Sequence, residues 1–110
     1  MNSNNNHTQK LEEAITREAA MFFEREGNRN SLITITRTEL SKRGNGATLF
    51  ISVFPTDKEK AALDFIKRHL GELRTYLRER IKSRMIPTFR VVADHGEQHR
   101  GEIYRLLNEK

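Results

Sequence analysis

Residues 56–92 read TDKEKAALDFIKRHLGELRTYLRERIKSRMIPTFRVV, and the fold turns on how this stretch is read. Thr56 stands where an N-cap would, and Glu59, three residues on, completes a capping box. Ala62, Leu63, Phe65, Ile66 and Leu70 recur at helical spacing, and so do Leu73, Tyr76, Leu77 and Ile81. Gly71 falls between the two sets. A glycine inside a helix costs about 1 kcal/mol relative to alanine. It is best tolerated where the chain bends or where two backbones approach closely. The pattern therefore predicts two helices meeting at a kink over His69, Leu70 and Gly71. Pro87 ends the helical stretch, and the β-rich run TFRVV that follows predicts a strand.

Upstream lies a hairpin. SLITITRTELS (31–41) is dense in β-branched residues, with Ile33 and Ile35 on one face and Thr34 and Thr36 on the other. The loop KRGNG leads into ATLFISVFP, where Leu49, Ile51 and Val53 alternate with Thr48, Phe50 and Ser52. Two alternating runs around a Gly/Asn loop predict an antiparallel pair. The expected core includes Ile35, Leu49, Ile51, Val53, Leu73 and Leu77. Phe50 falls on the outer face, where it suits either stacking on a base or packing beneath a terminal helix. A first helix is expected from about Thr8 to Glu26, with Leu11, Ala14, Ile15, Ala19, Met21, Phe22 and Phe23 as its apolar residues. Gly27 is placed to close it in a left-handed conformation, and GNRNS is turn chemistry. The Asn-rich start, residues 1–7, reads as a disordered leader. Residues 8–94 then form one domain, and residues 95–110 a tail with a short helical signal at Ile103, Leu106 and Leu107.

Composition narrows the function. The chain has 110 residues, the size of one domain. Charged residues make up 32% and the formal net charge is +5, with a sequence pI near 9.9. Such a balance favours a polyanionic partner, nucleic acid above all. There is no cysteine, which excludes disulfides, thiolate chemistry and cysteine-bearing zinc sites. No apolar run approaches the roughly 20 residues of a membrane span, and the N-terminus lacks an apolar signal core. A cytoplasmic, monomeric protein with no membrane partner is the simplest expectation.

The predicted order is α-β-β-α-α-β, in which helices cover one face of a mixed three-stranded sheet. This α+β arrangement is the topology of a type II KH domain. KH domains clamp nucleic-acid backbone with a GxxG loop between two helices, but the corresponding position here holds HLGE. In this the chain resembles bacterial ribosome-binding factor A. The resemblance rests on ITITRTELS (33–41), ATLFISVF (47–54), ELRTYLRERIKSRMIPTFRVVAD (72–94) and GEIYRLL (101–107), in that order and at that spacing, within residues 10–107. That family carries a KH-like fold in which a helix interrupted at an Ala-x-Gly kink replaces the GxxG loop. Here His69-Leu70-Gly71 takes the position of the kink, with the glycine kept and histidine in place of alanine. The hairpin loop GNG and the residues His99 and Arg100 also depart from the family pattern. The resemblance implies binding to the small (30S) ribosomal subunit, assistance in late maturation and processing of 16S rRNA and its precursor, and a link to growth in the cold. It implies no enzyme activity, no cofactor and no small-molecule substrate.

The charges carry their own reading. At helical spacing Lys60, Lys67, Arg74, Arg78 and Lys82 fall on one side of the two-helix unit, apart from Leu73, Leu77 and Ile81. A one-sided basic stripe suits phosphate neutralisation; a solvated face laced with pairs such as Glu72 with Lys67 is the plainer alternative. Lys42, Arg43, Arg84 and Arg90 would extend the patch. Arg80 sits at the edge of the apolar stripe, where its stem can pack and its charge reach water. His69 fits RNA contact or, more simply, a satisfied structural role. His95 and His99 stand four apart, too few for a metal site without a third ligand. The rival readings are a general single-stranded RNA-binding KH-like module and a small hydrolase or metalloenzyme using Asp94, His95 and His99. The first would bind random RNA oligomers as well as ribosomal RNA, and the second would carry stoichiometric metal.

Overall fold

The structure is a computed structural model, and it describes residues 3–26, 31–83 and 85–95. Its elements are α1 (Ser3–Glu26), β1 (Leu32–Leu40), β2 (Gly46–Phe54), a 3-10 turn (Thr56–Lys58), α2 (Glu59–Arg68), α3 (Leu70–Arg80) and β3 (Thr88–Ala93). The sheet order is β1-β2-β3, with β1 antiparallel and β3 parallel to β2. This is the expected KH-like α+β topology. Gly27, the GNRNS turn apart from Ser31, and the C-terminal helical signal lie outside the described residues.

β2 alternates as its sequence does. Ala47, Leu49, Ile51 and Val53 are buried against the helices, while Thr48, Phe50 and Ser52 face outward. The helices supply Ile15, Ala19, Phe22 and Phe23 from α1, Ala62 and Ile66 from α2, and Leu73 and Leu77 from α3. All six residues expected in the core are there. Aromatic contacts tie the three helices together. Phe22 lies 5.0 Å from Phe23 and 5.1 Å from Tyr76, and Phe23 lies 6.2 Å from Phe65. Leu11 is partly buried, whereas Met21 is exposed. Among the described residues no helix is long and apolar enough to cross a membrane.

Ile33 and Ile35 face in and Thr34 and Thr36 out, as expected. Four features depart from a plain reading of the sequence, and the first is the phase of β1 beyond Ile35. Regular alternation from Ile35 would put Arg37 and Glu39 inside. Instead the register jumps between Ile35, opposite Ile51, and Arg37, opposite Phe50. The bulge absorbs Thr36, so Thr38 is buried and Arg37 and Glu39 stay outside. The buried Thr38 hydroxyl is satisfied by that of Thr16 on α1, 2.8 Å away.

The second correction is the capping box. Thr56 lies inside the 3-10 turn, and neither that turn nor α2 has a side-chain cap. Glu59 instead reaches His95 Nε2 at 2.8 Å, tying the start of α2 to the end of β3. The third is the start of α1, which opens at Ser3 and not near Thr8. No glycine or proline interrupts residues 3–26, so the helix takes in most of the expected leader. The fourth is Ile81, expected as a helical residue. It is the extended C-cap of α3, with φ −113° and ψ 124°, and it remains packed on the core.

The hairpin turn is closed by Ser41. Its N–H donates to the Gly46 carbonyl (2.8 Å), and its carbonyl accepts from Gly44 N–H (2.9 Å). Gly44 takes φ +77°, a conformation that side chains disfavour.

Candidate nucleic-acid interface

The kink forms at His69, with φ −109° and ψ 10°. Its backbone N–H leaves the helical pattern and donates to the Ile66 carbonyl at 2.9 Å. A regular helix would send that donor to the Phe65 carbonyl. The His69 side chain fills the gap, Nδ1 donating to the Phe65 oxygen at 2.8 Å. The ring also packs on Phe65, with centroids 4.4 Å apart. Helix α3 resumes at once, with Leu73 N–H donating to the His69 carbonyl. His69 thus stands at the break and caps the end of α2. Gly71 lies within α3, and a Cβ built there would meet nothing within 4 Å. Leu70 is half-buried against the core.

Leu73 and Leu77 face the core, and polar contacts hold α3 on both flanks of that stripe. On one flank Tyr76 meets Phe22, while Arg80 lies over the Tyr76 ring (4.8 Å) with Nε 3.5 Å from Glu18. This agrees with an arginine whose stem packs while its charge reaches the surface. On the other flank lies Arg74. Its Nε donates to the carbonyls of Ile86 (3.3 Å) and Pro87 (3.1 Å), and its Nη2 to that of Ile86 (3.0 Å). Ile86 and Pro87 are thereby strapped to the helix.

The five cations of the expected stripe fall into three situations. Arg74 is half-buried, with Nε and Nη2 engaged by backbone carbonyls. Lys60 is exposed and pairs with Asp64 at 3.3 Å. Lys67, Arg78 and Lys82 are exposed and, among the described residues, carry no ion pair. Glu72 sits 3.6 Å from His69 Nε2 and does not pair with Lys67. Arg68 belongs with the exposed set. Reading by stripe missed it, although its place in the last turn before the break was a signal. Of the extension residues, Lys42 and Arg43 are exposed on the hairpin turn, and Arg90 on the outer face of β3. Arg84 lies outside the described residues.

The histidine–aspartate cluster is drawn into the fold. Asp94 Oδ2 accepts from the Thr36 hydroxyl at 2.8 Å, and Asp94 N–H donates to the Ile51 carbonyl. His95 is held by Glu59, and His99 lies outside the described residues. Neither Asp94 nor His95 lines any of three shallow depressions of about 330 to 460 Å³ among the described residues.

Residues 7–107 match the family described as Ribosome-binding factor A. The chain belongs to the ribosome-binding factor A family. Ribosome-binding factor A of Opitutus terrae is 29% identical over 106 residues, 94% of this chain and 87% of that protein. That of Brevibacillus brevis is 29% identical over 109 residues, 96% and 90% of the two chains. Among solved structures, ribosome-binding factor A from Thermus thermophilus superposes with a TM-score of 0.72 at 23% identity, over 78% of this chain and 94% of that one. The Thermotoga maritima protein described as a putative ribosome-binding factor A gives 0.67 at 24% identity, over 81% and 88%. These likenesses carry the fold. In this family member a histidine stands at the break and its side chain binds the carbonyl of Phe65.

Proposed function

We propose that this chain docks on the small ribosomal subunit as a monomeric, non-enzymatic assembly factor and assists late maturation of 16S rRNA in the cytoplasm. The observation that carries the reading is the set of exposed cations Lys67, Arg68, Arg78 and Lys82 around the broken helix, without carboxylate partners among the described residues. Cations left uncompensated suit phosphate contacts, because each contact releases condensed counterions. Family membership supports the same reading, as does a homology model of the Thermus thermophilus factor fitted into a cryo-EM map of a 30S complex.

In this reading Arg74 chiefly holds Ile86 and Pro87 against α3, and the exposed cations meet phosphate. The break at His69 sets the angle between the cations of α2 and those of α3.

The test is sedimentation of cell extract on a gradient at low and at high salt. The protein is expected with free small subunits at low salt and at the top of the gradient at high salt. Accumulation of unprocessed 16S precursor in cells lacking the protein is the expected companion result. A protein that stays at the top at low salt, or that binds random RNA oligomers as tightly as small subunits, would overturn this reading. The second outcome would favour a general single-stranded RNA-binding module.

A further inference from the structure

The sheet has a second face, turned away from the helices. Leu49, Ile51 and Val91 point into the core, so their neighbours Phe50, Arg90 and Val92 point out. Register sets them side by side, with Thr48 opposite Arg90 and Phe50 opposite Val92. The bulge at Thr36 then brings Arg37 opposite Phe50. Its guanidinium lies over the Phe50 ring, 3.7 Å from the centroid. Glu39 pairs with Arg37 from the side. The Arg37 side chain is still 44% exposed, which leaves part of it accessible above the Phe50 ring.

We infer that this stack is a platform for an unpaired RNA base. The base would lie on the Arg37 guanidinium and continue the pile begun by Phe50. Three properties support the assignment. A guanidinium plane is among the groups on which single-stranded bases stack. The plane is already oriented by an aromatic ring below and a carboxylate beside it, so little side-chain freedom is lost on binding. Charge favours a polyanion. Glu39 is offset by Arg37, while the Thr36 hydroxyl binds Asp94 without offsetting its charge. Among the described residues Arg90, and Lys42 and Arg43 at the end of the same hairpin, have no ion pair. Arg90 stands beside Thr48, one outward step along the strands from Phe50, where the phosphate of a stacked nucleotide can reach it. The inference goes beyond docking through the helices, because it concerns the opposite side of the sheet.

The experiment uses the full chain and a single-stranded RNA 12-mer with one 2-aminopurine among uridines, beside the same strand in a duplex. Stacking is expected to quench the probe in the single strand and not in the duplex. Arg37→Lys keeps the charge and loses the plane, so binding is expected to weaken roughly tenfold with an unchanged salt slope. Phe50→Leu is expected to act alike. Arg90→Gln is expected to lower the slope by about one phosphate contact. A folded Arg37→Lys protein that quenches and binds like wild type would overturn the inference, as would equal binding of the duplex. Arg78→Ala with Lys82→Ala separates the two surfaces. It is expected to weaken small-subunit binding and leave the quench intact, so either reading can fail without the other.

Discussion

Arg74 and Arg78 stand one helical turn apart on α3, and only their partners separate them. Arg74 gives its donors to the carbonyls of Ile86 and Pro87, both residues buried. Arg74→Ala leaves those acceptors without their donor, at a cost of about 1–3 kcal/mol. A thermal melt is expected to show a loss of several degrees, where Arg78→Ala shows almost none. Gly71 gives the opposite sign. It is the only glycine of α3, its backbone is not left-handed, and a Cβ there meets nothing. Gly71→Ala is therefore expected to stabilise the fold by up to about 1 kcal/mol, read as a rise in melting temperature with the kink unchanged. The kink itself belongs to His69, whose ring nitrogen takes over the acceptor that its own backbone leaves.

At the scale of elements, β2 is the middle strand and Ile51 is fully buried in it. Ile51→Ala is expected to cost about 2–5 kcal/mol, measured by denaturant unfolding. β2 was legible from sequence because hydrophobicity alternates without a break from Ala47 to Val53. β1 was legible only to Ile35. Its phase change comes from pairing with β2, and nothing in LITITRTEL marks Thr36 as the extra residue. The two helices were legible from their apolar spacing, and so was a break near His69. What caused the break was not, because glycine drew the inference and a histidine side chain did the capping. Thr56 misled for a similar reason. Its type suits an N-cap, but the chain after Pro55 enters a 3-10 turn first. In the candidate interface, residue type and helical spacing placed Lys67, Arg78 and Lys82 on the surface. Spacing cannot reveal that Arg74 finds carbonyls at positions 86 and 87, since those contacts depend on how the segment after α3 folds back.

For the whole molecule the net charge of +5 is a statement about salt. If small-subunit binding rests on phosphate contacts, log affinity falls against log salt with a slope of roughly 0.7 to 0.9 per contact. Replacing Arg78 and Lys82 together by alanine is expected to flatten that slope by up to about two contacts, in a salt series on purified small subunits. Both residues are exposed, so stability should stay within about 0.5 kcal/mol of wild type. The bulge in β1 also bears on how molecules meet one another. β1 forms one border of the sheet among the described residues, and a regular strand of its length and β-branched content would offer an unbroken row of backbone donors and acceptors to another chain. The irregularity at Thr36 interrupts that row, the Arg37–Glu39 pair follows it, and Glu12 already accepts from Leu40 N–H. The extra residue that sorts side chains within one protein thus also works against strand-to-strand clumping, and a chain deleted for Thr36 would present a flatter template for cross-β stacking in concentrated solution.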